Sequence, residues 1–193
     1  MNTKNARPPV VLPVGPFGEA VAERLGAAAP AFETVTGVAA AGARPVVLAS
    51  WRPSRAVARE LDGTPGVPWW LPVTYTHPVI HVGPVFGPGL PGCHECLETR
   101  VLSTDPRPEY VEALWDLYDE DPSAGPPGHL GHHAVIAAGL ARALAGEPTT
   151  AVRSLYTYHV LTGDIISHTF VPLPSCPRWA GRTGDVAGRD GAA

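Results

Sequence analysis

Short apolar runs alternate with amphipathic stretches along the first half of the chain. Val10-Val11-Leu12-Pro13-Val14 reads as a buried strand, although Pro13 suits the centre of a sheet poorly. It leads through Gly15-Pro16-Phe17-Gly18 into Glu19 to Leu25, where Ala20, Val21, Arg24 and Leu25 follow helical spacing. Phe32 to Thr36 and Pro45 to Ser50 are the next two strands, and Ser54 is placed to cap a helix running to Leu61. Trp69 to Val73 and Pro78 to Gly83 give further strands. Strand and helix in alternation predict βαβ units, a parallel sheet and an α/β fold.

The pattern then changes. The stiff turn Gly87-Pro88-Gly89-Leu90-Pro91-Gly92 opens onto Cys93-His94-Glu95-Cys96. Glu109 to Tyr118 is an amphipathic helix, Asp119 to Gly131 a loop, and His132 to Leu144 an alanine-rich helix. Val152 to His159 and Asp164 to Pro172 form a hairpin about Thr162-Gly163. The expected organisation is one domain over 10–179, with a Rossmann-like half (10–86) and a Cys-knuckle half (87–179). The Gly-, Arg- and Asp-rich segment 180–193 is expected to be a disordered tail.

Composition narrows the function classes. The 193 residues suit a single domain, and 21 Gly with 23 Pro call for long ordered loops and short helices. A net charge of −4 leaves no electrostatic footprint for nucleic acid. Lys4 is the one lysine, so a Schiff-base or phosphate-gripping lysine in the core is excluded. The opening MNTKNARPP lacks the apolar core of a signal peptide, and no run approaches the roughly 20 apolar residues of a membrane span. The expectation is a cytoplasmic protein without a membrane partner, whose three cysteines serve a metal site or stay free thiols.

Gly15-Pro16-Phe17-Gly18 lies where a dinucleotide-binding fold places its phosphate loop, yet the full G-x-G-x-x-G is missing. Pro16 has no backbone donor, and Thr36-Gly37 stands where a ribose-binding acid is expected, so no nucleotide is expected. Cys93-x-x-Cys96 has knuckle spacing, with Cys176-Pro177-Arg178-Trp179 as its distant partner. Three thiolates and His94 or His168 would complete four zinc ligands. The other reading is a degenerate site whose thiols are buried as small apolar groups. His129, His132 and His133 cluster without a metal-binding spacing, and neither H-E-x-x-H nor G-x-S-x-G occurs. Trp69, Trp70, Trp115 and Tyr118 fit either an exposed docking face or core packing; the three tryptophans are the binding candidates.

Two segments together resemble the E1/ThiF-like cyclodehydratase partner proteins of thiazole/oxazole-modified microcin (TOMM) biosynthesis, a branch of ribosomal peptide (RiPP and bacteriocin) maturation. Pro91-Gly92-Cys93-His94-Glu95-Cys96-Leu97-Glu98-Thr99-Arg100 is similar to their G-x-C-x-x-C-L segment. His168 to Arg178 is similar to their C-terminal H-x-x-x-P-x-P-x-C-P-x-C segment, and the likeness runs from about Val10 to Trp179. In that family the E1-like protein binds the leader of a precursor peptide and delivers its core to a YcaO-type enzyme. The YcaO enzyme uses ATP to cyclodehydrate Cys, Ser or Thr, and the partner has generally lost adenylation. The resemblance implies a reduced Rossmann/ThiF-like (E1-like) domain with a C-terminal Cys-knuckle and β-hairpin region. It also implies zinc (Zn2+) at Cys93, Cys96, Cys176 and His168.

The implied partners are a YcaO-type cyclodehydratase, a ribosomal precursor peptide and, as a homodimer, a second copy. Trp179 departs from the family's last zinc cysteine, and only a few residues precede Val10, where relatives carry a winged-helix peptide-recognition domain. A reduced scaffold that docks on the YcaO enzyme, with leader recognition supplied elsewhere, is the expectation. The enzyme alternative is an ATP-dependent adenylating or thiol-transfer protein acting through Cys93 or Cys96, which would need a depressed thiol pKa. A Rossmann oxidoreductase ranks behind both.

Overall fold

The computed structural model describes residues 7–121, 124, 128–176 and 178. Trp179 and the segment expected to be a disordered tail lie outside the described residues. β1 (Val10–Val14), β2 (Glu33–Thr34), β3 (Val46–Ser50) and β4 (Trp70–Thr76) are joined by β5 (Val79–Val82), β6 (Ser154–His159) and β7 (Ile165–Thr169). They form one seven-stranded sheet in the order β2-β1-β3-β4-β5-β6-β7. The helices are α1 (Gly15–Ala27), α2 (Val38–Ala41), α3 (Arg55–Gly63), α4 (His94–Thr104), α5 (Pro108–Glu120) and α6 (Gly131–Gly146).

The parallel sheet expected from the alternation is present only as far as β4. β1 pairs in parallel with β2 and β3, and β3 with β4. β4, β5, β6 and β7 then pair antiparallel. The reason is covalent: only His77 and Pro78 separate β4 from β5, far too few residues for the crossover that a parallel neighbour requires. The two halves read from the sequence therefore share a single sheet.

Near-continuous apolar strands fit a sheet covered on both faces. On β1, Val11 belongs to one core, with Phe17, Val21 and Leu25 of α1. Ala134, Ala137, Ala138 and Ala141 of α6 pack in the same core; their small side chains, at helical spacing, let α6 approach closely. Val10 and Leu12 point the other way, into a core with Val38 of α2, Ala58 and Leu61 of α3, and Trp70 of β4. Each fully buried Val, Leu or Ile stabilises the fold by roughly 1.5–3 kcal/mol.

Local boundaries differ from the reading where tertiary partners intervene. α1 starts at Gly15 rather than Glu19, because Pro16 occupies the first turn, where a missing N–H costs nothing. Ser54 stands at the start of α3 but makes no side-chain cap. Instead Asp119 Oδ1, from α5, accepts the backbone N–H groups of Arg55 at 3.1 Å and Ala56 at 3.4 Å. α2 and α4 were not anticipated. Among the described residues, no helix is long and apolar enough to cross a membrane.

Candidate functional site

The glycine-rich turn delivers Cys93 to the N-terminus of α4, and Cys96 follows one turn later. Cys176 arrives from the far end of the chain, after the β6–β7 hairpin. Cys93 Sγ lies 3.7 Å from Cys96 Sγ and 3.6 Å from Cys176 Sγ, and all three sulfurs fall within 4.8 Å of one another. The thiols are free and buried. Zinc bound tetrahedrally at a Zn–S distance of about 2.3 Å separates its sulfurs by about 3.8 Å, so the spacing fits that ion.

The electrostatics divide the three thiols. Burial, followed by the neighbouring thiols, pushes Cys93 well above the ordinary thiol range. Burial also opposes ionisation of Cys96, but backbone hydrogen bonds from Leu173 and Cys93, together with the contacts to Cys176 and Cys93, outweigh it and lower its pKa. Cys96 sits in the first turn of α4, where the helix dipole favours an anion. A full set of thiolates calls for a cation.

Neither candidate histidine completes the set. His168 lies on exposed β7, where its Nε2 is hydrogen-bonded to Thr157 Oγ1 at 2.8 Å. Among the described residues the metal-capable group holds the three cysteines alone. The His94 ring turns toward Trp70 and Phe86, with centroids 5.6 and 6.1 Å away. Burial, then Arg59 and Arg55, lowers its pKa to about 4. The imidazole is therefore neutral, and its 3.6 Å approach to Glu98 is no ion pair. Glu98 is held instead by Arg55 at 2.9 Å.

The three tryptophans do not share one exposed face. Trp70 and Trp115 are buried and Trp69 is partly buried against the core. The Trp70 indole donates to Asp62 Oδ1 at 2.9 Å, while Asp62 Oδ2 accepts the backbone N–H of His94 at 3.0 Å. Asp62 thus ties α3, β4 and the first turn of α4 together beside the thiols. Nothing in the spacing of the sequence singles it out, since its partners come from two other elements.

A second place of interest is the crevice between the carboxyl ends of β1 and β3, where the strand order reverses and α/β folds bind nucleotides. Trp51 fills it. A Cβ built on Gly15, at φ +69, would overlap the Trp51 indole. The Arg52 guanidinium lies 4.0 Å from the Trp51 ring and 4.4 Å from that of Tyr118 on α5, and Arg52 donates to the Tyr118 hydroxyl at 3.0 Å. Gly18 is no phosphate-approach residue either: its Cα faces the Ala49 carbonyl of β3.

His133 explains the histidine cluster. Its Nδ1 accepts the Leu130 N–H at 3.2 Å, which places the remaining proton on Nε2, buried among Tyr75 and Tyr158. Burial first, then His132, His129 and His77, lowers its pKa. His81, on β5, is held at about 4 by burial and then by His168. Both folded values lie below the free-histidine value, so their stabilising contribution is complete above about pH 6.5 and is lost as pH falls below it. The His81 shift alone predicts a loss of about 2 kcal/mol between pH 7 and pH 5. Urea midpoints across that range should show the slope, and His81→Gln should flatten it by that amount; an unchanged slope would refute the assignment.

No protein-family model and no curated protein matches the chain. Solved structures do. The E. coli microcin synthetase McbBCD complex contains a chain similar at TM-score 0.64 and 16% identity, over 91% of this chain and 71% of that one. The same complex with pro-MccB17 bound gives TM-score 0.56 and 16% identity, over 92% and 72%. The heterocyclase TruD gives TM-score 0.55 and 19% identity over 90% of this chain, which spans 27% of the TruD chain. At these identities the likeness is one of fold.

Proposed function

We propose that this chain is a non-catalytic, E1-like partner of a YcaO-type cyclodehydratase, binding or presenting a ribosomal precursor peptide for azoline and azole formation. The observation that carries the reading is the packing at that crevice: within a fold shared with microcin synthetase and heterocyclase chains, the Trp51 indole lies against Gly15 at the end of β1, where a nucleotide would approach. On this reading the chain acts by holding other molecules. Holding a peptide beside an active site raises its effective concentration without new chemistry. The single domain over 10–179 would be the scaffold.

Zinc fits the three thiols as a structural ion, and when bound it would clamp the start of α4 to the segment after β7. Cys93, Cys96 and Cys176 would hold it. Burial counts against thiol transfer through Cys93 or Cys96, whose relative exposures are 5% and 0%. Raised acidity at a nucleophile also needs access, and Cys93 has its pKa raised instead.

The test is reconstitution. A YcaO enzyme and precursor peptide from the same gene cluster are assayed for ATP turnover and ring formation, with and without this chain. Both are expected to rise at least about tenfold on its addition, the range of proximity effects. No change in either, together with no binding to enzyme or peptide, would dispose of the reading.

A further inference from the structure

The two faces of the sheet are covered unequally. α1 and α6 close one face along β1, β3, β4 and β5. On the other, α4 and α5 stand off β4 to β7 and leave a groove of about 820 Å³, within the range of ligand sites. Its walls are apolar, formed by Leu97 and Val101 of α4, Val111 and Trp115 of α5, and Leu155 and Phe170.

The floor is polar and ordered by strand register. Thr74 of β4 is opposite His81 of β5, and His81 is opposite Thr157 of β6. Thr157 bonds in turn to His168 of β7. This row crosses the strands at their spacing of about 4.8 Å, so from β4 to β7 it spans about 14 Å, the length of about four extended residues. Its hydroxyls and imidazoles offer both donors and acceptors, and His81 stays uncharged at neutral pH.

The charged side chains that line the groove, Glu98, Arg100 and Asp105, stand on α4 and its C-terminal cap and not on the strands of the floor. Glu98 is paired with Arg55, Arg100 Nε donates to the Val171 carbonyl at 3.0 Å, and Asp105 Oδ1 accepts the Arg107 N–H at 2.8 Å. A charged side chain brought against the Thr–His–Thr row would lose water and gain no counter-ion there, which is costly. A neutral segment with small polar groups loses little and can hydrogen-bond along the row.

We propose that this groove seats an extended, uncharged stretch of peptide about four residues long, laid across β4 to β7 on the Thr74–His81–Thr157 row. Its hydroxyl, thiol and amide groups face the floor and its apolar atoms face α4 and α5. The inference rests on the peptide-presenting reading for the source of the segment, which is the uncharged Cys/Ser/Thr-bearing part of the precursor.

The test uses the full-length chain and the precursor peptide of the reconstitution. Benzoylphenylalanine is placed singly at Leu155, at Val101 and, as a control outside the groove, at Leu114 on the outer face of α5. After illumination, cross-links from 155 and 101 to the uncharged segment are expected, and none from 114. Val101 is 37% exposed, so Val101→Glu should fold normally while lowering peptide affinity at least about tenfold. Peptide bound with unchanged affinity by Val101→Glu, or cross-linked only from 114, overturns the groove and leaves the partner function standing. If the complex forms and turns over but the peptide never contacts this chain, both the groove and peptide presentation fall.

Discussion

Gly18→Ala is expected to remove about 3 kcal/mol or more of stability, a large part of what a domain of this size has. A methyl there would overlap the Ala49 carbonyl oxygen. That oxygen belongs to β3, which is paired on both sides with β1 and β4, so it cannot retreat without disturbing two ladders. Gly139→Ala is the matched comparison. It sits on an exposed part of α6 with nothing within 4 Å of the added methyl, and there alanine should stabilise by roughly 0.5–1 kcal/mol. Urea midpoints report both changes. Equal effects at the two sites would remove the packing explanation for a segment that, by sequence alone, looks like a phosphate loop.

Cys96→Ser should cost more than about 4 kcal/mol and abolish metal content, if the thiols hold zinc as proposed. The wild-type chain purified from zinc-containing medium is then expected to carry about one zinc per chain by elemental analysis. A strong chelator should lower its melting temperature to that of the variant. The opposing account treats the cysteines as small apolar groups. It expects no zinc, no response to chelator, and only about 1 kcal/mol lost in Cys96→Ala. Both accounts share the buried thiols and are separated by metal content.

The parts of this fold that could be read from the chain are those set by neighbours in sequence. The apolar run Val46–Ser50 announces a strand covered on both faces, and β3 is buried throughout. Cys93-x-x-Cys96 announces a pair of adjacent thiols, and Cys176 joins them. Direction is harder: Trp70–Thr76 and Val79–Val82 look alike whether parallel or antiparallel, and only the short turn between them decides. α4 was hidden by the knuckle that starts it, although Leu97 and Val101 at i and i+4 carried a helical signal. His168 stands apart from the three sulfurs, its Nε2 bonded to Thr157 Oγ1, a contact that motif spacing does not reveal. Trp70 and Trp115 were ambiguous since a buried and a docking indole have the same letter. Asp62, the Arg55–Glu98 pair and the Thr74–His81–Thr157 row exist only after the sheet has formed.

The thiol cluster has a mechanical consequence. Cys93 and Cys176 are 83 positions apart, and everything from α4 to β7 lies between them. With the cluster closed by a cation, tension applied to the C-terminal end would be borne at the start of α4 and pass to β4 through Asp62 and Trp70. The outermost strand, last in the sheet and with five exposed residues, would be shielded from that load. With the cluster open, the same pull would peel β7 away first, and the Thr157–His168 end of the groove would go with it.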